Sequence, residues 1–258
     1  MARTVARTLA LLCAAGLLLS ACTDTAGGGP DDPLQVTDNP VAATPARSPA
    51  TAQKPAGTVR EGKPPEQMGR TAQLGERTLI ARGKAGIEVR RDGKRERMIK
   101  GELAGADQVF VVDGHAAVLD RVRSAVFQVD PAAGTIGLGL RAGQGAANGV
   151  VDEFGRLLVV DTRTGALLAF TIEPMLLRQR YPVPGAPYGI AYDPRRDLAW
   201  VTLTAKNQVV GYDVAGGQPQ ERHRFATVRQ PNSVTVEEHT GDVLVASAAG
   251  EGNQVIRP

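Results

Sequence analysis

A unit of about 41 residues recurs along the C-terminal part of this chain, and it limits the fold more than any other feature. Ala147-Asn148-Gly149-Val150-Val151-Asp152 opens one copy. Pro187-Tyr188-Gly189-Ile190-Ala191-Tyr192-Asp193 opens the next, and Pro231-Asn232-Ser233-Val234-Thr235-Val236 a third. Each opening leads into a polar turn (Glu153-Phe154-Gly155, Pro194 to Asp197, Glu237 to Gly241). Each turn leads into an apolar run: Leu157 to Val160, Leu198 to Val201, Val243 to Ala246. An earlier copy starts at Asp107; its Asp113-Gly114 turn, Asp120 and the run Val126 to Asp130 each fall 41 residues before their partners. From Asp107 to Asn148 is 41 residues, from Asn148 to Tyr188 is 40 and from Tyr188 to Asn232 is 44.

Runs this short, punctuated by Gly, Pro, Asn and Asp every 8 to 12 residues or so, specify all-β structure. A period near 40 residues with three or four runs per unit fits propeller blades. Paired-helix repeats need longer segments with a 3.6-residue period, and none is present. Residues 66–258 hold about 4.7 units of 41, so about five blades are expected. The last unit ends at Arg257-Pro258, before an outer strand could form. Closure by an N-terminal strand completing that blade is therefore expected, since an open arc leaves unpaired edges.

Pro-Tyr-Gly-Ile-Ala-Tyr-Asp at 187–193, followed by a β run, a polar loop and Asn207-Gln208-Val209-Val210-Gly211-Tyr212-Asp213, resembles the repeats of NHL and YncE-like propellers. The resemblance covers 107–258 well and 66–106 poorly. It implies a propeller architecture and carries little information about chemistry. The Gly-His and Trp-Asp marks of WD40 repeats are missing.

The first 65 residues read differently. Arg3 and Arg7 precede an apolar run from Leu9 to Leu19, and small residues follow. That order is a secretion signal, and the run is too short for a span of about 20 residues. Leu19-Ser20-Ala21-Cys22 resembles the lipobox of bacterial lipoproteins. The resemblance implies a signal peptide at 1–21, diacylglyceryl attachment (a palmitate-type lipid) at Cys22, and anchoring on the extracytoplasmic face of the cell membrane. Residues 22–65 then read as a lipidated cysteine and a disordered tether. Eight of the 17 prolines lie there, and the first aromatic residue of the chain is Phe110. Such a stretch buries too little surface to offset its ordering entropy. The 43 residues from 23 to 65 would reach about 35–40 Å as a coil. The propeller domain is assigned to 66–258.

Composition excludes several functions. Without Arg3 and Arg7 the cations fall from 30 to 28 against 27 acids, so the mature charge is near +1. That balance gives no field for nucleic acid. Both cysteines, Cys13 and Cys22, precede the domain, which leaves no disulfide, thiolate metal site or cysteine nucleophile. No Gly-x-Ser-x-Gly elbow exists, and His115, His223 and His239 are scattered without metal-ligand spacing. One Trp and 4% aromatics fit neither a sugar-stacking platform nor a quinone-cofactor propeller.

In a propeller the loops entering the innermost strands and those between the second and third strands open on one face. Equivalent positions form rings around the channel. The first ring is Asp107, Asn148, Tyr188 and Asn232; the second is Asp120, Asp161, Thr202 and Ser247. Converging oxygens could take a hard cation such as Ca2+, with Asn148 and Asp161 as the metal candidates. The alternative is that Asn and Asp tie off blade loops. Ala147-Asn148-Gly149 is also similar to the Asn-Gly at the metal centre of SMP-30-like lactonases, which implies a metal-dependent hydrolase. That family needs a first-blade glutamate as well, and only Glu66, Glu76 and Glu88 are available, without a matching motif.

Eight cations crowd residues 82–100 (Arg82, Lys84, Arg90, Arg91, Lys94, Arg95, Arg97, Lys100). A charged edge strand explains them; contact with lipid head groups or an anionic wall polymer is the functional alternative. The reading is a lipid-anchored extracytoplasmic propeller that binds or scaffolds. No cofactor is required, and its partners are the membrane, an envelope protein or a wall polymer. A lactonase on the same fold is the alternative.

Overall fold

The computed structural model describes residues 40–51, 53–62 and 69–258. The segment expected to be a signal peptide, residues 1–21, and Cys22 lie outside the described residues. The short strand β1 (Thr58–Arg60) comes first and joins the fifth blade described below. Blade 1 consists of β2 (Thr71–Leu74), β3 (Arg77–Ala81), β4 (Ile87–Arg91) and β5 (Lys94–Ile99). Blade 2 consists of β6 (Gln108–Val112), β7 (His115–Asp120), β8 (Ala125–Asp130) and β9 (Thr135–Arg141). Blade 3 is β10 (Ala146–Val151), β11 (Leu157–Asp161), β12 (Ala166–Thr171) and β13 (Leu176–Pro182). Blade 4 is β14 (Pro187–Asp193), β15 (Leu198–Leu203), β16 (Gln208–Asp213) and β17 (Gln220–Ala226). Blade 5 contains β18 (Pro231–Val236), β19 (Val243–Ser247) and β20 (Asn253–Ile256). All five sheets are four-stranded and antiparallel, and the first strands of blades 1 to 5 lie side by side in chain order on the inside. The one helical element among the described residues is a 3-10 turn, Thr204–Lys206.

The expected N-terminal strand is present. β1 supplies the fourth strand of blade 5, pairing Thr58 with Val255, Val59 with Gln254 and Arg60 with Asn253. Gln254 fixes its approach: its buried side-chain amide donates to the carbonyls of Ala56 (2.7 Å) and Ala226 (2.9 Å). The strand lies inside the stretch assigned by composition to the tether. Three residues suffice because the backbone ladder carries the pairing, and the side chains of β1 stay exposed.

Closure of that blade does not, among the described residues, extend to a packed interface between blade 5 and blade 1. Four apolar clusters fill the interfaces of blades 1 and 2, 2 and 3, 3 and 4, and 4 and 5. No cluster among the described residues joins blade 5 to blade 1. β10 is buried on both faces, whereas β2 alternates exposed and half-buried residues. The register explains why blade 1 tolerates a free side. Leu79, Ala81, Ile87 and Val89 face blade 2. The opposite face carries Gln73, Thr78, Glu88 and Arg90, with Thr78 donating to Gln73 at 2.8 Å and Arg90 paired to Glu88 at 2.6 Å. Ile80 and the exposed Met98 share this face, but its remaining side chains are polar, and a mostly polar face needs no covering blade.

The edge strand that the sequence implies takes up only part of the basic stretch: Lys94, Arg95 and Arg97 lie on it, Arg90 and Arg91 lie on β4, and Arg82, Lys84 and Lys100 lie outside the strands. β5 is the outermost strand of blade 1, and Arg77 meets Glu96 at 2.9 Å and Arg82 meets Glu88 at 2.7 Å. Trp200 is fully buried on β15, stacked on His223 (centroids 5.6 Å apart) and Phe225 (6.0 Å) of β17. Gly211 between them makes the space: a Cβ there would sit 3.0 Å from the indole ring.

Candidate functional site

Both predicted rings lie on one face of the propeller, at the start of the first strands and the end of the second strands. The turn residues Asp113, Phe154, Arg195 and His239 belong to the opposite face, where Arg195 donates to the His239 carbonyl.

The second ring is a set of latches. Asp120, Asp161, Thr202 and Ser247 are all buried. Asp120 accepts amide hydrogens from Ala104 (2.7 Å), Gly105 (3.2 Å) and Arg123 (3.0 Å). Asp161 accepts from Gln144 (3.0 Å), Gly145 (2.9 Å), Arg163 (3.1 Å) and Thr164 (3.2 Å), and from the Thr164 hydroxyl. Thr202 Oγ1 accepts from the Gly189 amide at 2.8 Å, and the Ser247 hydroxyl donates to the Arg229 carbonyl at 2.7 Å. In blades 2, 3 and 5 the residue ending the second strand therefore holds the linker that enters the same blade, whereas in blade 4 Thr202, one position before the end of β15, holds Gly189 inside β14. Buried amides of these linkers need acceptors, and a carboxylate supplies several at once.

The first ring is less uniform. Asp107 is half-buried and accepts from the Arg121 amide at 2.9 Å. Burial pushes its carboxyl up from the ordinary Asp range, against the pull of Arg121. Asn148 is buried and donates through Nδ2 to the Tyr188 carbonyl at 2.8 Å, bridging blades 3 and 4. Asn232 Oδ1 accepts from Gln230 Nε2 at 3.0 Å. The tyrosine ring of Tyr188 lies under the Arg121 guanidinium, 5.7 Å from its centroid, and its hydroxyl accepts from Arg121 Nη2 at 3.0 Å. Among the described residues no group of three or more His, Cys, Asp and Glu gathers in metal-binding geometry. Of the lactonase glutamates, Glu66 lies outside the described residues. Glu76 is exposed, and Glu88 lies between Arg82 and Arg90, which hold its carboxyl below the usual carboxylate range.

The mouth is occupied by the chain itself. Residues 41–49, assigned by composition to the tether, run across it without helix, strand or turn. Arg163 Nη2 donates to the Val41 carbonyl (3.0 Å) and Arg121 Nη2 to the Ala43 carbonyl (2.8 Å). Gln230 Nε2 donates to the Ala46 carbonyl (2.8 Å) and Asn207 Nδ2 to the Pro49 carbonyl (3.2 Å). Ser48 donates its hydroxyl to the Thr204 carbonyl at 3.1 Å. Ala43 is 1% exposed. The segment thus engages side chains of blades 2, 3 and 4 and of the linker into blade 5. Sequence reasoning missed Arg121, Arg163, Asn207 and Gln230. The signal available was position: Arg121, Arg163 and Asn207 sit in the loops just after the second strands, beside residues already singled out.

No family model matches the sequence, and no curated protein sequence matches it significantly. Solved structures match in fold. The WD40 propeller domain of Doa1 superposes at a TM-score of 0.58 with 11% identity, over 72% of this chain and 62% of that one. A putative 6-phosphogluconolactonase from Bacteroides uniformis gives 0.56 and 14%, over 72% and 64%. Virginiamycin B lyase from Staphylococcus aureus gives 0.51 and 11%, over 70% and 66%. The chain spans no more than two thirds of the length of each of these. At such identities the likeness establishes architecture alone. The described residues form a β-propeller of five blades, a fold shared with a WD40 domain, a putative lactonase and a lyase.

Proposed function

We propose that this protein is a lipid-anchored, extracytoplasmic propeller of NHL or YncE-like type that binds a partner in the cell envelope and catalyses no reaction. One observation carries the reading: the oxygens of the channel mouth are spent on latching blade linkers and on holding residues 41–49. Asp161 accepts four amide hydrogens and a hydroxyl within its own blade. An enzyme of the lactonase type needs its donors converging on an open metal position. Here Asn148 turns its amide to a backbone carbonyl, and Glu88 is paired to two arginines. The mouth carries no resident cation in this reading.

Anchoring rests on Leu19-Ser20-Ala21-Cys22 behind a short apolar run. Between Cys22 and the first described residue, Pro40, are 18 residue steps, at most about 60–65 Å of extended chain. A dually acylated cysteine holds a domain to a bilayer far more firmly than one chain does. Nucleic acid is not among the partners, given a mature charge near +1.

Mass spectrometry of the membrane fraction should find an acylated peptide beginning at Cys22, and Cys22→Ala should release the protein. A Cys22→Ala protein that remains as firmly anchored refutes the lipid anchor. Crosslinking in membranes followed by purification should recover an envelope protein or wall polymer. Hydrolysis of a lactone panel with divalent metal, lost in Asn148→Ala, would replace the binding reading with the lactonase.

A further inference from the structure

We infer that the channel mouth is a binding site for extended peptide backbone, and that residues 41–49 occupy it as a ligand supplied in cis. The inference rests on the reading of the protein as a binding module and names the ligand class of its mouth.

The contacts are of the kind that recognises main chain. Four side chains, Arg163, Arg121, Gln230 and Asn207, donate to four carbonyls spread over nine residues, at 2.8 to 3.2 Å in the range of ordinary hydrogen bonds. A carbonyl carries no side-chain identity, so any chain held extended presents the same acceptors. Side-chain selection is confined to two points. Ala43 is wholly enclosed and admits a small residue only, and Ser48 exchanges bonds with Gln230. Val41, Thr44, Arg47 and Pro49 are exposed and are free to vary. Pro40, Pro45 and Pro49 favour extended backbone and lower the entropy lost on docking. The ligand class is therefore an extended peptide rich in proline and small residues.

The fit in cis is incomplete. Arg121 Nε is buried with no acceptor, although Nη2 of the same guanidinium reaches both Ala43 and Tyr188. A peptide from a partner that offers a second acceptor there satisfies the mouth better than the chain's own segment. The cis segment is also tethered by eight residues to β1, which gives it an effective concentration of the order of millimolar. A partner competes against that concentration, so the native chain suppresses weak ligands and yields to strong ones.

The test uses the full chain with residues 41–49 replaced by an equal length of Gly and Ser, so that β1 and its connection are kept. The probe is a fluorescent synthetic peptide of residues 40–50, followed by anisotropy. The replaced chain should bind it saturably, and the native chain at least tenfold more weakly. Adding Arg121→Ala and Gln230→Ala to the replaced chain should abolish binding, and a probe carrying Ala43→Phe should not bind. No binding by the replaced chain, or binding indifferent to those changes, overturns the assignment. Hydrogen exchange on the otherwise native chain gives a second reading should the replaced chain not fold. Gln230→Ala should speed exchange at Ser48 at least tenfold and leave Val159 and Val201 unchanged; an unchanged Ser48 overturns the docking. Metal-dependent lactone turnover by the replaced chain would refute the binding module itself. Loss of peptide binding without turnover refutes only the peptide.

Discussion

Ser48 and Gln230 exchange two hydrogen bonds across 182 residues of sequence: the Ser48 amide donates to Gln230 Oε1 at 3.0 Å, and the Gln230 amide donates to Ser48 Oγ at 2.8 Å. Gln230 adopts φ +53°, a left-handed conformation that costs a non-glycine residue about 1 kcal/mol or more. Its side chain offsets that by serving Ser48, Ala46 and Asn232 together. Gln230→Ala keeps the strain and loses the bonds. We expect a loss of about 1–3 kcal/mol, seen as a fall in melting temperature of several degrees for a domain of this size. Gln230→Gly should lose less, because it relieves the backbone. Equal losses would mean that the side chain holds nothing.

Gly57 controls the entry of β1. It has φ +68°, and a Cβ there would lie 2.1 Å from the Val255 carbonyl oxygen. Gly57→Ala should therefore break the β1–β20 pairing, lower stability by about 2 kcal/mol or more, and expose the chain before residue 60 to protease. Gly75→Ala isolates the clash. Gly75 has φ +55° but nothing within 4 Å of its Cβ position, so it shares the strain alone. Matching losses in the two variants would show that closure by β1 is not what Gly57 protects.

The repeat made most of this fold readable. Spacing and turn residues placed Asp107, Asn148, Tyr188 and Asn232 on one face without any knowledge of strands, because a β-turn announces itself locally. What composition could not reveal was the course of residues 40–60. Pro, Ala and Thr without apolar period describe a segment with no core of its own, and that is accurate. Such a segment can still dock through main-chain bonds to a surface made elsewhere, and Val41, Ala43 and Ala46 do so through carbonyls that every residue possesses. The open side was hidden for a similar reason. Thr78, Glu88 and Arg90 look like ordinary alternation until the register puts them on the face opposite Leu79 and Val89.

Trp200 should be the most costly single side chain to remove. It is wholly buried between blades 4 and 5 and stacks on His223 and Phe225. Trp200→Ala should cost about 3–5 kcal/mol. Trp200→Phe should cost well under half of that, because Trp200 Nε1 has no hydrogen-bond partner to lose. Thermal unfolding followed by circular dichroism separates the two. A Phe variant as damaged as the Ala variant would point to a missed role for the indole nitrogen.

Asp161 separates a latch from a metal ligand. As a latch, its removal strands four backbone amides, and Asp161→Ala should cost about 3 kcal/mol or more, with or without calcium. As a ligand, it would make the native protein respond to calcium: a cation at 100 times its dissociation constant adds about 2.7 kcal/mol. We expect millimolar calcium to leave the native melting temperature unchanged. A calcium-dependent rise that disappears in Asn148→Ala together with Asp161→Asn would establish a cation site.

Asp107 gives the mouth a pH signature of known sign. Burial raises its carboxyl above the ordinary Asp value despite the Arg121 amide that it accepts. The folded state then holds the proton more tightly than the unfolded state does. Its favourable contribution is complete below the unfolded pKa of about 3.9 and is lost as pH rises through the folded value. At neutral pH the ionised carboxylate is a liability. Asp107→Asn keeps an oxygen for the Arg121 amide and removes the charge. The variant should melt above the native protein at pH 7, and the difference should shrink toward zero near pH 3. Asp107→Ala, which also removes the acceptor, should show a smaller gain or a loss at every pH. An Asn variant less stable than the native protein at pH 7 would mean that attraction to Arg121 outweighs desolvation at this position.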